Sequence, residues 1–347
     1  MSFIDRICDL SQPPVIVAEL SGNHNQNLDT AKELIRLAAE SGADAVKLQT
    51  YTADTLTLPS EQEEFIVRGG LWDGRSLHDL YQQASTPWEW HKPLAEFAIQ
   101  LGIQLFSTPF DETAVDYLEE TINPPLHKIS SFEVTHIPLL EKVASTGKPV
   151  IISTGMATEA EIAAAVSTLE TYGCPQIILL KCISAYPAEP KDFNLKSLTT
   201  LATRFLKPVG LSDHCLSNDI AIASVVLGAR LIEKHFTNNR AAGGIDAGFS
   251  LEPIELADLV QRSRNIHKSL GNPKLGTTNQ DESQLQFRRS IYVSKQILQG
   301  EPFTPENLKI IRPSNGVPPK HWKEVLGKLA KRDLETNTPL AKDDWIS

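Results

Sequence analysis

Cysteine is scarce: Cys8, Cys174, Cys182 and Cys215 are the four in 347 residues, and no two stand at a Cys-x-x-Cys spacing. A disulfide-stapled scaffold and a zinc ribbon are thereby excluded, and the thiols read as reduced groups in a cytoplasmic protein. Basic residues are in the minority, 33 Lys and Arg against 43 Asp and Glu, for a net charge of −10. A chain so acidic lacks the basic face of a nucleic-acid binder. No apolar run approaches the roughly 18 residues of a membrane span; residues 221–229 are among the longest. The opening MSFIDRICDLSQPP carries acids where a secretory leader needs a basic start and an apolar middle. Neither nucleic acid nor membrane is expected as a partner.

Hydrophobic residues at 41% are enough for a full core. Short apolar runs recur at 15–18, 45–48, 104–106, 126–129, 150–152, 177–180, 209–211 and 231–232. Amphipathic segments such as 30–40, 88–100, 159–172 and 220–227 lie between them. Strands alternating with helices are parallel βα units, and eight of them fit a (β/α)8 barrel. No Gly-x-Gly-x-x-Gly follows the first run, which argues against a dinucleotide-binding sheet. Residues 50–85 are too long for an ordinary connection and read as a cover for an active site. After a helix at 253–270, GNPKLGTTNQDES (271–283) is polar and aperiodic, a linker signal. The division expected is a barrel domain over 1–275, a linker over 276–287 and a small β-rich domain over 288–347. In that last domain residues 289–298 alternate, 305–308 form a helical turn and 308–311 a strand.

In a barrel of this kind the strand C-termini build the active site. The polar residues there are Glu19, Lys47, Gln49, Thr108, Lys128, Ser130, Ser131, Ser153, Thr154, Lys181, Ser184, Ser212, Asp213, His214, Glu233, Lys234 and His235. Three of the lysines, Lys47, Lys128 and Lys181, together with hydroxyls and the amides of Ser153, Thr154 and Gly155, suit a phosphate and a carboxylate. A basic mouth on an acidic protein points to a small anionic substrate. His214 and His235 stand 21 residues apart, about one βα period, which places them on adjacent strands about 4.8 Å apart. Two imidazoles with carboxylates nearby, Asp213 and Glu233, suit Mn²⁺ or Mg²⁺. Cys215 points the other way and reads as a core thiol, and His24 reads as a structural loop residue. Trp72 and Asp73, flanked by Gly69, Gly70 and Gly74, read as a lid, with an aromatic anchor that pins a long loop as the alternative, and Tyr186 before Pro187 as a pocket wall or a strand end.

VAELSGNHNQNLDTAKELI, GADAVKLQTYT, FSTPFDETAVDYLEE, HKISSFE, PVIISTGMAT, PVGLSDH and LIEKHFT closely resemble the sialic acid synthases. RRSIYVSKQILQGEPFTPENLKIIRPSNG resembles their SAF, or antifreeze-like, domain. The resemblance implies a TIM barrel followed by a SAF domain, and a transferase that condenses phosphoenolpyruvate with an N-acylated amino sugar. Residues 69–91 are most similar to the pseudaminic acid synthases, which use 2,4-diacetamido-2,4,6-trideoxy-altropyranose. It further implies that Lys47, Thr108, Lys128, Ser131, Ser153, Gly155, Ser184 and Ser212 hold phosphoenolpyruvate. The metal ligands implied are His214 and His235, and the sugar-side residues are Glu19, Gln49, Tyr186, Asp246, Phe287 and Arg312. Glu19, Lys47, Lys128, Glu233 and Arg312 are the implied catalytic set, with Arg312 reaching the other barrel of a domain-swapped homodimer. Ser184 stands where the neuraminic acid enzymes carry Asn. N-acetylneuraminate or legionaminate synthesis, a Schiff-base aldolase on Lys128 or Lys181, and a non-catalytic carbohydrate-binding protein are the alternatives.

Overall fold

The computed structural model describes residues 2–345 and divides into two compact units between Gly271 and Asn272. The first unit is a closed parallel barrel in the order β1 to β8. Its strands are β1 (Val15–Glu19), β2 (Ala45–Thr50), β3 (Gln104–Pro109), β4 (His127–Ile129), β5 (Val150–Ser153), β6 (Ile177–Cys182), β7 (Val209–Asp213) and β8 (Leu231–His235). All eight coincide with the apolar runs, and several extend one or two residues into the polar positions at their ends.

Helices α1 (Phe3–Cys8), α2 (Leu28–Glu40), α3 (Ala53–Leu56), α4 (Leu77–Ala84), α5 (His91–Leu101) and α6 (Glu112–Thr121) belong to the first half of the barrel. The second half carries α7 (Ile137–Ala144), α8 (Glu159–Thr171), α9 (Ser197–Phe205), α10 (Asp219–Val226) and α11 (Pro253–Ser269). Start signals legible in the sequence are formed. Asn27 Oδ1 accepts the Thr30 amide at 3.0 Å, Asp111 Oδ1 accepts those of Thr113 and Ala114, and Thr158 and Glu161 make a reciprocal capping box.

Strand side chains alternate between two apolar layers. Val15, Val17, Ala45, Phe106, Ile151, Ile178, Leu180 and Leu231 fill the barrel interior, plugged from below by Ile7 of α1. Ile16, Ala18, Val46, Leu48, Ile152, Leu179, Leu211 and Ile232 face the helices. Arg230 fastens the plug, donating to the carbonyls of Ile7 at 3.0 Å and Gln12 at 2.9 Å. Gly210 on β7 is a steric requirement, because a methyl group there would lie 2.3 Å from Leu231 O and 2.7 Å from Leu180 Cδ2. Gly210→Ala is expected to destabilise the protein by about 1–3 kcal/mol through overpacking. An unchanged urea midpoint would contradict that close approach.

The second unit contains α12 (Asn279–Glu282), then β9 (Ser290–Val293) paired antiparallel with β10 (Leu308–Ile311), and α13 (Trp322–Val325). Ile291, Val293, Phe303, Leu308, Val325, Leu334 and Leu340 form its core. The helical turn expected at 305–308 is a single turn ahead of β10, in which the amides of Asn307 and Leu308 both donate to Thr304 O. Ile346 and Ser347, at the end of the expected small domain, lie outside the described residues. Among the described residues no helix is long and apolar enough to cross a membrane.

Candidate active site

Register sets the polar residues of the barrel mouth side by side. Glu19 is paired with Lys47 across β1–β2 and with His235 across β1–β8; Gln49 pairs with Thr108, and Ser212 with Glu233. Each of these points inward by the same alternation that buries Val17 and Leu231 below them. All but Thr108 line a cavity of about 440 Å³ whose walls also include Lys128, Ser131, Ser153, Tyr186, His214 and Asp246.

Two ammonium groups and two carboxylates meet at its floor. Lys47 Nζ lies 2.7 Å from Glu19 Oε2 and 3.6 Å from Glu233 Oε1, and donates to Thr108 Oγ1 at 3.1 Å. Lys128 Nζ donates to Ser153 Oγ at 2.7 Å and stands 3.8 Å from Glu233 Oε1. Gln49 Nε2 donates to Glu19 Oε1 at 2.8 Å, and Ser212 Oγ to Glu233 Oε1 at 3.3 Å. Burial pushes the Glu19 carboxyl up to about 7, with Lys47 opposing and Glu233 reinforcing the rise. Burial acts the same way on Glu233, but Lys128 and Lys47 overcome it and hold this carboxyl below its ordinary value. Burial drives the Lys128 ammonium down. The expected basic mouth is thus charge-balanced: only two of the three lysines are present, and each faces a carboxylate.

Beside them stand the imidazoles, with ring centroids of His214 and His235 5.2 Å apart. His214 Nδ1 lies 2.7 Å from Ile183 O, which fixes a proton there; burial lowers this imidazolium, but the Cys182 thiol beside it prevails and holds it above its ordinary value. His235 Nδ1 is buried with no hydrogen-bond partner, 4.0 Å from Asp246 Oδ2. Burial, then the nearby His214 and lysines, hold the His235 imidazolium far below its ordinary value, so the ring is neutral and able to ligate. Among the described residues no three His, Cys, Asp or Glu side chains gather in ligating geometry. A cation here would be held by the two imidazoles alone, and the orphaned Nδ1 of His235 fits such a role.

Gly155 donates its amide to Ser131 Oγ at 3.0 Å, and a Cβ there would lie 2.5 Å from Ser184 Oγ. The glycine keeps Ser131 and Ser184 together. Tyr186 is a pocket wall, its ring 4.3 Å from that of His214. Residues 50–85 do cover the cavity: Leu56, Val67, Trp72, Leu77, Leu80 and Tyr81 line it. Trp72 Nε1 donates to Ile245 O at 2.9 Å, so its indole is both wall and fastening. Asp73 instead closes a turn by accepting the Gly69 amide at 2.6 Å. Gly69, Gly70 and Gly74 all have φ between +74° and +79° in this turn, a conformation that favours glycine.

Several strand-end residues face outward. Lys181 lines a different cavity with Thr154, and the Thr154 amide is spent on Leu180 O at 2.9 Å. Lys181 therefore drops out of both the phosphate cradle and the Schiff-base scheme. Asp213 holds Lys234 at 2.9 Å and accepts the Cys215 amide at 2.8 Å, so it neither ligates nor orients an imidazole. Ser130, by contrast, does line the catalytic cavity, with its hydroxyl spent on Glu133. Cys215 is a buried thiol, as expected. Phe287 and Arg312 lie in the second unit, both exposed.

Cys182, Ser21, Phe110 and Phe249 were not singled out. Cys182 lines the cavity, and its parity with Ile178 and Leu180 on β6 was the available signal. Burial raises its thiol, but the His214 imidazole beside it prevails and brings it to about 7.

His24 is structural, as expected, and so is His91: both pack inside the long connection. His91 Nε2 lies 2.7 Å from Thr50 Oγ1, and His24 Nε2 3.3 Å from Thr86 Oγ1. Burial lowers each imidazole to about 4, repulsion from His91 adding to the effect on His24. Below about 6.5 the unfolded chain takes up protons that the native state refuses until about 4. Stability is therefore expected to fall as pH drops through that window, by roughly 2 kcal/mol per ring at pH 5. Urea midpoints at pH 7 and 5 check this, and His91→Gln should flatten the difference.

A model of the NeuB family matches residues 34–274, and a model of the SAF domain matches residues 288–344. The pseudaminic acid synthase of Helicobacter pylori is 44% identical over 335 residues, covering 96% of this chain and 98% of its own. The N,N'-diacetyllegionaminic acid synthase of Legionella pneumophila is 36% identical, with 94% and 92% covered. The crystal structure of an N-acetylneuraminic acid (sialic acid) synthetase from Leptospira borgpetersenii in complex with citrate superposes with a TM-score of 0.71 at 34% identity, over 80% of this chain and 92% of that one.

Proposed function

The chain belongs to the NeuB family, and we propose that it condenses phosphoenolpyruvate with 2,4-diacetamido-2,4,6-trideoxy-β-L-altropyranose and water to give pseudaminic acid and phosphate. The observation that carries this reading is the convergence of Lys47, Lys128, Glu233 and the His214–His235 pair on one cavity. Relatives named as pseudaminic acid synthases at 42–44% identity favour this sugar over the legionaminate and neuraminate acceptors. The apolar cover, with Leu77, Leu80 and Phe110, suits acetamido methyls and a terminal methyl.

Lys47 and Lys128 hold the donor's phosphate and carboxylate, with Ser131, Ser153, Ser184 and Ser212 completing the cradle and the Gly155 amide positioning Ser131. Entry of that anion replaces carboxylate contacts of the lysines by substrate contacts. His214 and His235 would hold Mn²⁺ or Mg²⁺, which polarises the acceptor's aldehyde when bound. The enol carbon forms a bond to the aldehyde carbon, and the aldehyde oxygen takes a proton. Glu19, titrating near 7, suits that donation. Water then adds to the cationic C2. Glu233 receives its proton on Oε2, which has no partner in the protein. Collapse with C–O cleavage releases phosphate. Asp246, Gln49 and Tyr186 orient the sugar, with Phe287 and Arg312 contributed across a domain-swapped homodimer in the cytoplasm.

The test is phosphate release from phosphoenolpyruvate with a panel of aldoses. The altrose-derived sugar should outpace N-acetylmannosamine, the 2,4-diacetamido mannose analogue and arabinose 5-phosphate. Faster turnover of any other member would overturn the substrate assignment. Bridging ¹⁸O in the donor should emerge in phosphate.

A further inference from the structure

Behind the barrel wall, between the outer face of β5–β6 and helices α8 and α9, lies a second cavity of about 180 Å³. Its polar lining comes from Thr154, Lys181, Ser197, Thr200 and Arg204, with Glu159 at the rim. Two of these groups are left without partners. Ser197 Oγ is fully buried and makes no hydrogen bond. Lys181 is half-buried, and among the described residues no carboxylate pairs with it; burial alone pushes its ammonium down. Thr200 is exposed to solvent, and the remaining groups are accounted for. Arg204 Nε donates to Glu159 Oε1 at 2.5 Å, leaving its terminal nitrogens, and Thr154 Oγ1 donates to Leu180 O at 3.0 Å. The first amides of α9 bond back to Asn194, Leu195 and Lys196, so the helix end supplies nothing.

An ammonium withdrawn from water without a counter-ion is stabilised by an anion. Donors here come from separate elements: the ammonium from β6, two hydroxyls and a guanidinium from α9. That distribution matches the several oxygens of a tetrahedral group better than the two of a planar carboxylate. We infer that this cavity is a second anion site, taking a small oxyanion of the phosphate class, separate from the catalytic cavity. Alternation makes the separation possible. β5 and the residue after it turn Ser153 inward and Thr154 outward, and β6 turns Cys182 inward and Lys181 outward. An oxyanion on Lys181 thus sits one residue from the wall that holds Lys128.

Equilibrium dialysis of the full-length protein against labelled inorganic phosphate tests this, with a readout independent of turnover. Wild type should bind two classes of phosphate. Lys181→Met should lose one class, at least about tenfold in affinity for the loss of a charge-assisted contact, with turnover unchanged within about twofold. Lys47→Met should retain that class. Ser197→Ala, which removes only a hydroxyl, should weaken the same class and guards against a folding defect in the lysine variant. A single class that Lys47→Met removes, or two classes unchanged in Lys181→Met, would overturn the inference.

Discussion

Lys47→Met is expected to lower phosphate release from phosphoenolpyruvate by about a hundredfold to a thousandfold, the range for losing one fixed electrostatic contact at a reacting centre. It should also destabilise the fold. The ammonium is the counter-charge of two buried carboxylates, Glu19 at 2.7 Å and Glu233 at 3.6 Å. Breaking a buried pair from one side costs about 3–5 kcal/mol, because the remaining charge stays buried. Glu19 already has a raised carboxyl, and without Lys47 it holds its proton to higher pH still. Above about 4.5 the unfolded chain loses that proton while the native state keeps it, so the variant's stability falls as pH rises. The deficit against wild type should be smaller at pH 5 than at pH 8. Glu19→Gln in the same background should recover part of the stability and none of the activity. Denaturation at both pH values and steady-state kinetics read the two effects separately. Recovery of activity with stability would reduce Lys47 to a structural group.

Exhaustive dialysis against EDTA is expected to lower turnover at least about a hundredfold, equivalent to roughly 3 kcal/mol of lost charge stabilisation, with Mn²⁺ or Mg²⁺ restoring it. The direct measurement is Mn²⁺ binding followed by electron paramagnetic resonance. Wild type should take up one ion per chain, and His214→Ala with His235→Ala should take up none. The orphaned Nδ1 of His235 motivates the experiment. A metal-stripped sample that keeps full activity would end the cation assignment.

The barrel was legible because its strands are short apolar runs of fixed spacing, and burial on both faces makes such runs nearly continuous. That same continuity hid which face each polar end residue takes. Lys47 and Lys181 look alike as single residues at strand ends, yet one reaches the catalytic cavity and the other the helix layer. Asp213 and Glu233 divide in the same way, the first to Lys234 and the second to the lysines of the floor. Counting parity from the apolar residues of each strand would have sorted them, and would have found Cys182. The charge balance of the mouth was out of reach by any count. Lys47 and Glu19 pair across consecutive strands, but Glu233 comes from the last strand of the barrel, and only closure through β1 and β8 brings it beside them.

Composition and periodicity, then, determined the class of fold, the two-part organisation and the inventory of reactive side chains, since each of those is a property of the chain read locally. Three-dimensional closure decided which lysines share a cavity, which carboxylates neutralise them and which imidazole nitrogens stay bare. Coulomb energy and hydrogen bonding depend on distances across strands, and those distances exist only once the sheet has curled onto itself.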